Sequence, residues 1–205
     1  VAGNSEFLIY AVVTVALVAL LHWSDSYYQY RSWVLWLFDI WIVLHILGGL
    51  YEFADGVVMY SMVLIDIVGE PYLILKYDQL VHAYCYFVIA LILARVLRRS
   101  APAEMSFGLF ALFTVIAATG VGALNEVVEF IAVVPVTATN VGGSETTVID
   151  VISNVVGARL AIPFVHGGWI VVCRARGKWA LWHVCVRRGG LARICGRAVG
   201  CRAGG

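Results

Sequence analysis

Charge is what this sequence has least of. Only 13% of its 205 residues are charged, while 62% are hydrophobic. An ordinary soluble domain is about 25% charged and about 45–50% apolar. That shortage excludes a soluble globular domain and places the chain among integral membrane proteins. Acid is missing altogether after Asp150. Residues 151–205 hold no Asp or Glu, but 9 of the 14 Lys and Arg and 4 of the 5 cysteines. Also missing are a P-loop, a G-x-G-x-x-G fingerprint after a strand, a G-x-S-x-G elbow and an H-E-x-x-H pair, so none of the reactions they signal is indicated. The N-terminal VAGNSEF has no basic region, and no small-residue cleavage site follows the first apolar run. Residues 7–21 therefore read as a retained span and not as a secretory signal.

What is present is long apolar runs. A helix needs roughly 20 apolar residues to cross a bilayer. Residues 7–21, 32–50, 78–97, 107–134 and 148–172 meet or approach that length, the last broken by Arg159 and Pro163. The expected fold is all-α: a polytopic transmembrane bundle of about five spans. The apolar run 57–65 is too short to cross, so residues 51–76 are expected to form a re-entrant or interfacial segment. Residues 135–147, PVTATNVGGSETT, read as a loop from their turn formers.

Arg95, Arg98 and Arg99 place the end of the third span in the cytoplasm by the positive-inside rule. Alternation then puts Arg31 inside, the N-terminus outside and the C-terminus inside, in a cell membrane of prokaryotic inner-membrane type. The chain divides into a transmembrane domain, 1–172, and a basic tail, 173–205, rich in Gly, Arg and Cys. Cys173, Cys185, Cys195 and Cys201 contain no C-x-x-C. With His183 they offer a zinc site, against the simpler reading of a disordered or membrane-surface tail, or of an aberrant C-terminus. The tail has too few aromatics for a nucleic-acid module; an anionic inner leaflet suits it better.

The polar residues inside the spans carry the functional argument. Asp78 and His82 share a face, i and i+4, where the third span begins. Asn125, Glu126 and Glu129 lie near the far end of the fourth, and Asp150 and Asn154 open the fifth. His45 lies one turn before the end of the second, beside Gly48 and Gly49. On the expected topology all of these lie near the outer leaflet. A charged side chain in hydrocarbon costs roughly 2.5–3.5 kcal/mol on insertion scales. Four isolated acids would then cost on the order of 10 kcal/mol, comparable with a domain's whole stability. They are expected to face inward and meet. Each residue also has a plainer reading: Asp78 and Asp150 as helix caps, His45 as an interhelical hydrogen-bonding group, Glu126 and Glu129 as solvated interface acids. Asp39, near the middle of its span, has no role evident from spacing.

The order KYDQLVHAYCYF, NEVVEF, IDVISNVVGA resembles the VanZ-like membrane proteins, matching at Asp78, His82, Phe87, Glu126, Glu129, Asp150, Asn154, Gly157 and Ala158. HILGGLYEF resembles the YjdF-type inner-membrane proteins, whose H-x-x-G-x-x-Y element matches His45, Gly48 and Tyr51. The resemblance covers roughly residues 40–160. Gln79 stands where VanZ-like proteins tend to have Lys or Arg, and no Arg precedes Asp150. The resemblance implies a multi-pass fold and a shared polar site. VanZ is associated with low-level glycopeptide resistance, and the YjdF type has no assigned activity.

Three functional classes follow. The first is a membrane-embedded hydrolase or transferase acting on a lipid or lipid-linked envelope precursor. Asp78, His82, Glu126, Glu129 and Asp150 would be catalytic, and His45, Tyr51, Asn125 and Asn154 would bind substrate. A divalent metal on His45, Asp78, His82 and Glu126 would fit mixed N/O ligation; without metal, Asp78 would orient His82 as base and Glu126 would act as acid. The second is a proton-coupled transporter, with polar residues spread along a path. The third is a non-catalytic membrane partner whose polar cluster serves helix packing. The expected partners are membrane lipids and a second copy of the chain.

Overall fold

The computed structural model describes residues 2–53, 56–69, 74–102, 105–133 and 144–166, with side chains described from 12 onward in the first segment, to 131 in the fourth and from 146 in the last. Lipid offers backbone groups no partner, so apolar runs of this length close their hydrogen bonds within themselves. They form five α-helices: α1 (Ala2–Tyr28), α2 (Ser32–Leu50), α3 (Tyr77–Ser100), α4 (Phe107–Val133) and α5 (Ser144–Leu160). The protein is the all-α membrane bundle that its composition requires. Four stretches of the described chain are long and apolar enough to span: Ser32–Leu50, Tyr77–Ser100, Phe107–Ile131 and Thr146–His166. The fifth expected span, 7–21, lies within α1, which is not among those four.

Helix α3 is central and packs against α2, α4 and α5. Lipid supplies no hydrophobic drive between helices, so close backbone approach through small residues has to hold them together. The α3–α5 contact shows this: a Cβ on Gly157 would overlap the Ala83 carbonyl, and Ala158 and Ala161 are fully buried beside it. The outward surface carries Trp36, Val43, Leu112, Leu124, Phe130 and Ile152, all well exposed. That belt suits a lipid-facing bundle, where a soluble monomer rarely exposes large contiguous apolar patches.

The three arginines closing α3 tie its neighbours to it. Arg95 Nε donates to the Tyr28 carbonyl at 2.9 Å, Arg99 lies 5.0 Å from the Tyr27 ring centroid and Arg98 lies 5.8 Å from that of Phe110. The turn out of α1 is closed by Asp25, whose Oδ1 accepts the Tyr30 N–H at 2.7 Å.

The described residues between 51 and 76 form no spanning helix. The described part is a ribbon with a 3-10 turn at Met59–Ser61 and isolated antiparallel bridges from Glu52 to Val58 and from Val63 to Lys76. Its tip exposes Ile65, Ile67 and Val68.

The loop expected at 135–147 is shorter than that, because α5 already begins at Ser144. Ser and Glu favour a helix's first turn through capping and dipole effects, so Ser144–Thr147 extends the helix although the apolar pattern starts later. The helix breaks at Ala161, two residues before Pro163, which cannot donate to the Arg159 carbonyl. The expected tail, 173–205, with its candidate zinc ligands, lies outside the described residues.

Candidate functional site

Helices α3 and α5 begin at the end of the bundle where α4 finishes, and their polar residues meet there. Asp78 and His82 occupy the first two turns of α3. His82 Nε2 lies 3.6 Å from Asp78 Oδ1, while Nδ1 lies 3.6 Å from Glu126 Oε1 on α4 and 3.1 Å from Asn154 Oδ1 on α5. Asp150, one turn before Asn154, completes the α5 contribution. Potential ligand atoms of Asp78, His82 and Asp150 all lie within 4.8 Å of one another, and so do those of His82, Glu126 and Glu129. His82 belongs to both groups.

Small residues make this convergence possible. The α3–α5 approach at Gly157 brings Asn154 against His82. A Cβ on Gly122 would come within 2.6 Å of Asn154 Nδ2, so α4 can approach Asn154 only with glycine there. Asn125 Nδ2 donates to Glu129 Oε1 at 2.7 Å and fixes that carboxylate.

The site is buried and incompletely satisfied. Glu126 is 8% exposed, Asp150 5% and Asn154 0%. Glu126 Oε1, Asp150 Oδ1 and Asn154 Nδ2 have no hydrogen-bond partner among the described residues. Most buried polar groups are paired, and a buried orphan costs about 1–3 kcal/mol, more if charged. Three orphans around one imidazole make a place suited to a polar ligand, a cation or a transferred proton.

The sequence-predicted residues divide cleanly. Asp78, His82, Glu126, Glu129 and Asp150 come together, with Asn125 and Asn154 as supports. His45 belongs to neither ligand group. Its ring stacks on Trp41 at 5.3 Å, and its Nδ1 lies 2.5 Å from Tyr60 Oη. The expected metal set of His45, Asp78, His82 and Glu126 is therefore not one cluster: Asp78 and Glu126 flank opposite nitrogens of His82, and His45 is taken up by Tyr60. Tyr51 is half exposed and packs edge-on against Phe53 at 5.1 Å. Asp39 lies exposed on the outer surface of α2, beside Trp36 and Ile40.

Two residues were not legible as part of this end. Tyr60 also donates to the His45 carbonyl at 2.8 Å, and its ring fills the space where a Gly48 side chain would sit. Gln79, buried, accepts from the Leu75 N–H at 2.6 Å and the Lys76 N–H at 3.1 Å. It thereby holds Leu75 at a φ of 77°, a conformation uncommon for a leucine. Gln79 thus closes the entry to α3. No spacing rule marks either residue; Tyr60 lies in a short apolar run, and Gln79 carries no charge.

No curated protein and no solved structure matches this chain. One family model, described as "Predicted membrane protein (DUF2238)", matches residues 2–167, and the chain belongs to that family.

Proposed function

We propose that this membrane protein is an enzyme that hydrolyses, or transfers a group from, a lipid or lipid-linked envelope precursor. Its site is the His82-centred cluster. The observation that carries the reading is the convergence of Asp78, His82, Glu126, Glu129 and Asp150 from three helices, with buried carboxylate oxygens on Glu126 and Asp150 that have no hydrogen-bond partner among the described residues. Structural packing needs no such arrangement, because interhelical hydrogen bonds average only about 0.6 kcal/mol where they have been measured in a bundle.

Hydrolysis needs a group that removes a proton from the attacking water and returns one to the leaving oxygen. Glu126 suits that role: its Oε1 is buried beside His82 Nδ1 and has no hydrogen bond among the described residues. Glu129, held by Asn125, supplies the neighbouring negative charge. Asp78 and Asp150 would position the polar head of the substrate. The arginine end of α3 argues for cytoplasmic placement of that end. The site then lies near the outer leaflet, where lipid-linked precursors present their head groups. The resemblance to VanZ-like proteins in Asp78, His82, Asp150 and Asn154 supports an envelope role. A carrier is less well supported, because Asp39, the one deeper acid, faces away from the bundle.

Complementation tests this reading. In a strain lacking the gene and challenged with envelope-acting antibiotics, the wild-type chain is expected to restore growth. Glu126→Gln and His82→Ala, at equal membrane abundance, are expected not to. Full rescue by both variants would remove the enzyme.

A further inference from the structure

We infer that Asp78, His82 Nε2 and Asp150 form a binding site for one divalent transition-metal cation, with coordination positions left open for water or a substrate oxygen. This names the cofactor of the site proposed above, and it rests on that reading only for what the cation is used for.

Three observations carry it. First, two helices contribute matched i, i+4 pairs, Asp78 with His82 and Asp150 with Asn154. The Gly157–Ala83 approach sets them side by side, so that one potential ligand atom from each of Asp78, His82 and Asp150 lies within 4.8 Å of the others. Second, Asp150 is 5% exposed and its Oδ1 has no hydrogen-bond partner among the described residues. Among the described residues no ion pair joins a Lys or Arg to Asp78 or Asp150. An uncompensated buried carboxylate is costly, and a cation between two of them removes that cost. Third, Asn154 Oδ1 faces His82 Nδ1 at 3.1 Å. With that oxygen as acceptor, Nδ1 carries the proton and Nε2 presents its lone pair on the Asp78 side. Metal-binding histidines are usually oriented in this way, through the other ring N–H.

The donor set decides the ion class. One imidazole with two carboxylates suits Zn, Mn or Fe better than Mg or Ca, which prefer oxygen throughout. Three protein ligands with open positions are the pattern of catalytic sites, whereas structural zinc is closed by four. Bound there, the cation would lower the pKa of a water held at one of its open positions.

The test uses full-length protein purified in detergent, stripped with chelator and titrated with Mn2+. The expected result is one ion per chain, with nitrogen coupling from an imidazole in the electron spin resonance spectrum. Asp78→Asn and Asp150→Asn should each abolish stoichiometric binding, Asn154→Leu should weaken it roughly 10–100-fold, and Glu52→Gln should leave it unchanged. In wild-type protein, which needs no variant to fold, saturating Mn2+ should raise the Tm. Absence of a stoichiometric ion together with an unmoved Tm overturns the inference, and so does binding that survives both aspartate changes. A chain that binds no metal but loses complementation with Glu126→Gln refutes the cation and keeps the enzyme. A chain that binds metal but is fully rescued by both Glu126→Gln and His82→Ala does the reverse.

Discussion

An imidazole has two nitrogens, and in His82 each faces different company: Asp78 beside Nε2, Asn154 and Glu126 beside Nδ1. Pairing in sequence shows the first contact, since i, i+4 on a helix fixes a shared face. The second depends on where α4 and α5 dock. The same holds for His45. The space over its neighbours Gly48 and Gly49 is occupied by the ring of Tyr60. Tyr60→Phe is expected to lower the unfolding free energy by about 1 kcal/mol through loss of its hydrogen bonds to His45. Gly48→Val should cost more, because its Cβ would lie 2.5 Å from that ring. Chemical unfolding in micelles measures both, and a Gly48→Val protein as stable as wild type would show that Tyr60 is not seated there. Gln79→Leu leaves two N–H groups at the entry to α3 without their acceptor and should cost about 1–3 kcal/mol. Gln79→Glu keeps the oxygens and should recover most of it; no difference between the two variants would refute the cap.

Among elements, the α3–α5 pair is the joint on which the site depends. Gly157→Val should prevent assembly into a protease-resistant, monodisperse bundle. Gly120→Val, on an open face of α4 with nothing within 4 Å, should be tolerated. If Gly157→Val yields normal protein, the close approach of the two helices is wrong. Helix α2 presents a different case. Asp39 lies exposed on a spanning stretch, where the apolar pattern alone could not tell an inward acid from an outward one. Its removal should therefore relieve an insertion cost: Asp39→Leu is expected to favour membrane insertion of the α2 segment by about 2.5–3.5 kcal/mol, read as the inserted fraction in a translocation assay. A drop in insertion would mean that Asp39 has a favourable partner.

For the whole molecule, orientation follows from where charge is tolerated. Arg95, Arg98 and Arg99 gather at one end of α3, and the acid cluster at the other. In a cysteine-free background, a single cysteine in place of Ser100 should react with a membrane-impermeant maleimide only after permeabilisation. One in place of Asp66, on the ribbon between α2 and α3, should react in intact cells. Labelling of both from the same side would overturn the topology, and with it the placement of the site at the outer leaflet.

By itself the sequence determined the solvent. Scarce charge and runs of about 20 apolar residues leave no stable state but helices in lipid, and acids in such runs carry an insertion cost unless they find partners. It also determined that Asp78, His82, Glu126, Glu129 and Asp150 belong to one end of the bundle, since span direction alternates. Only the tertiary structure decided which of them touch, that His45 is held by Tyr60 instead of joining them, and that Asp39 faces out. The reason is geometric. Periodicity fixes a residue's angle on its own helix, but contact between helices depends on their mutual rotation and depth. Those are set by a few close approaches, Gly157 on Ala83 above all, whose partners lie far apart in the chain.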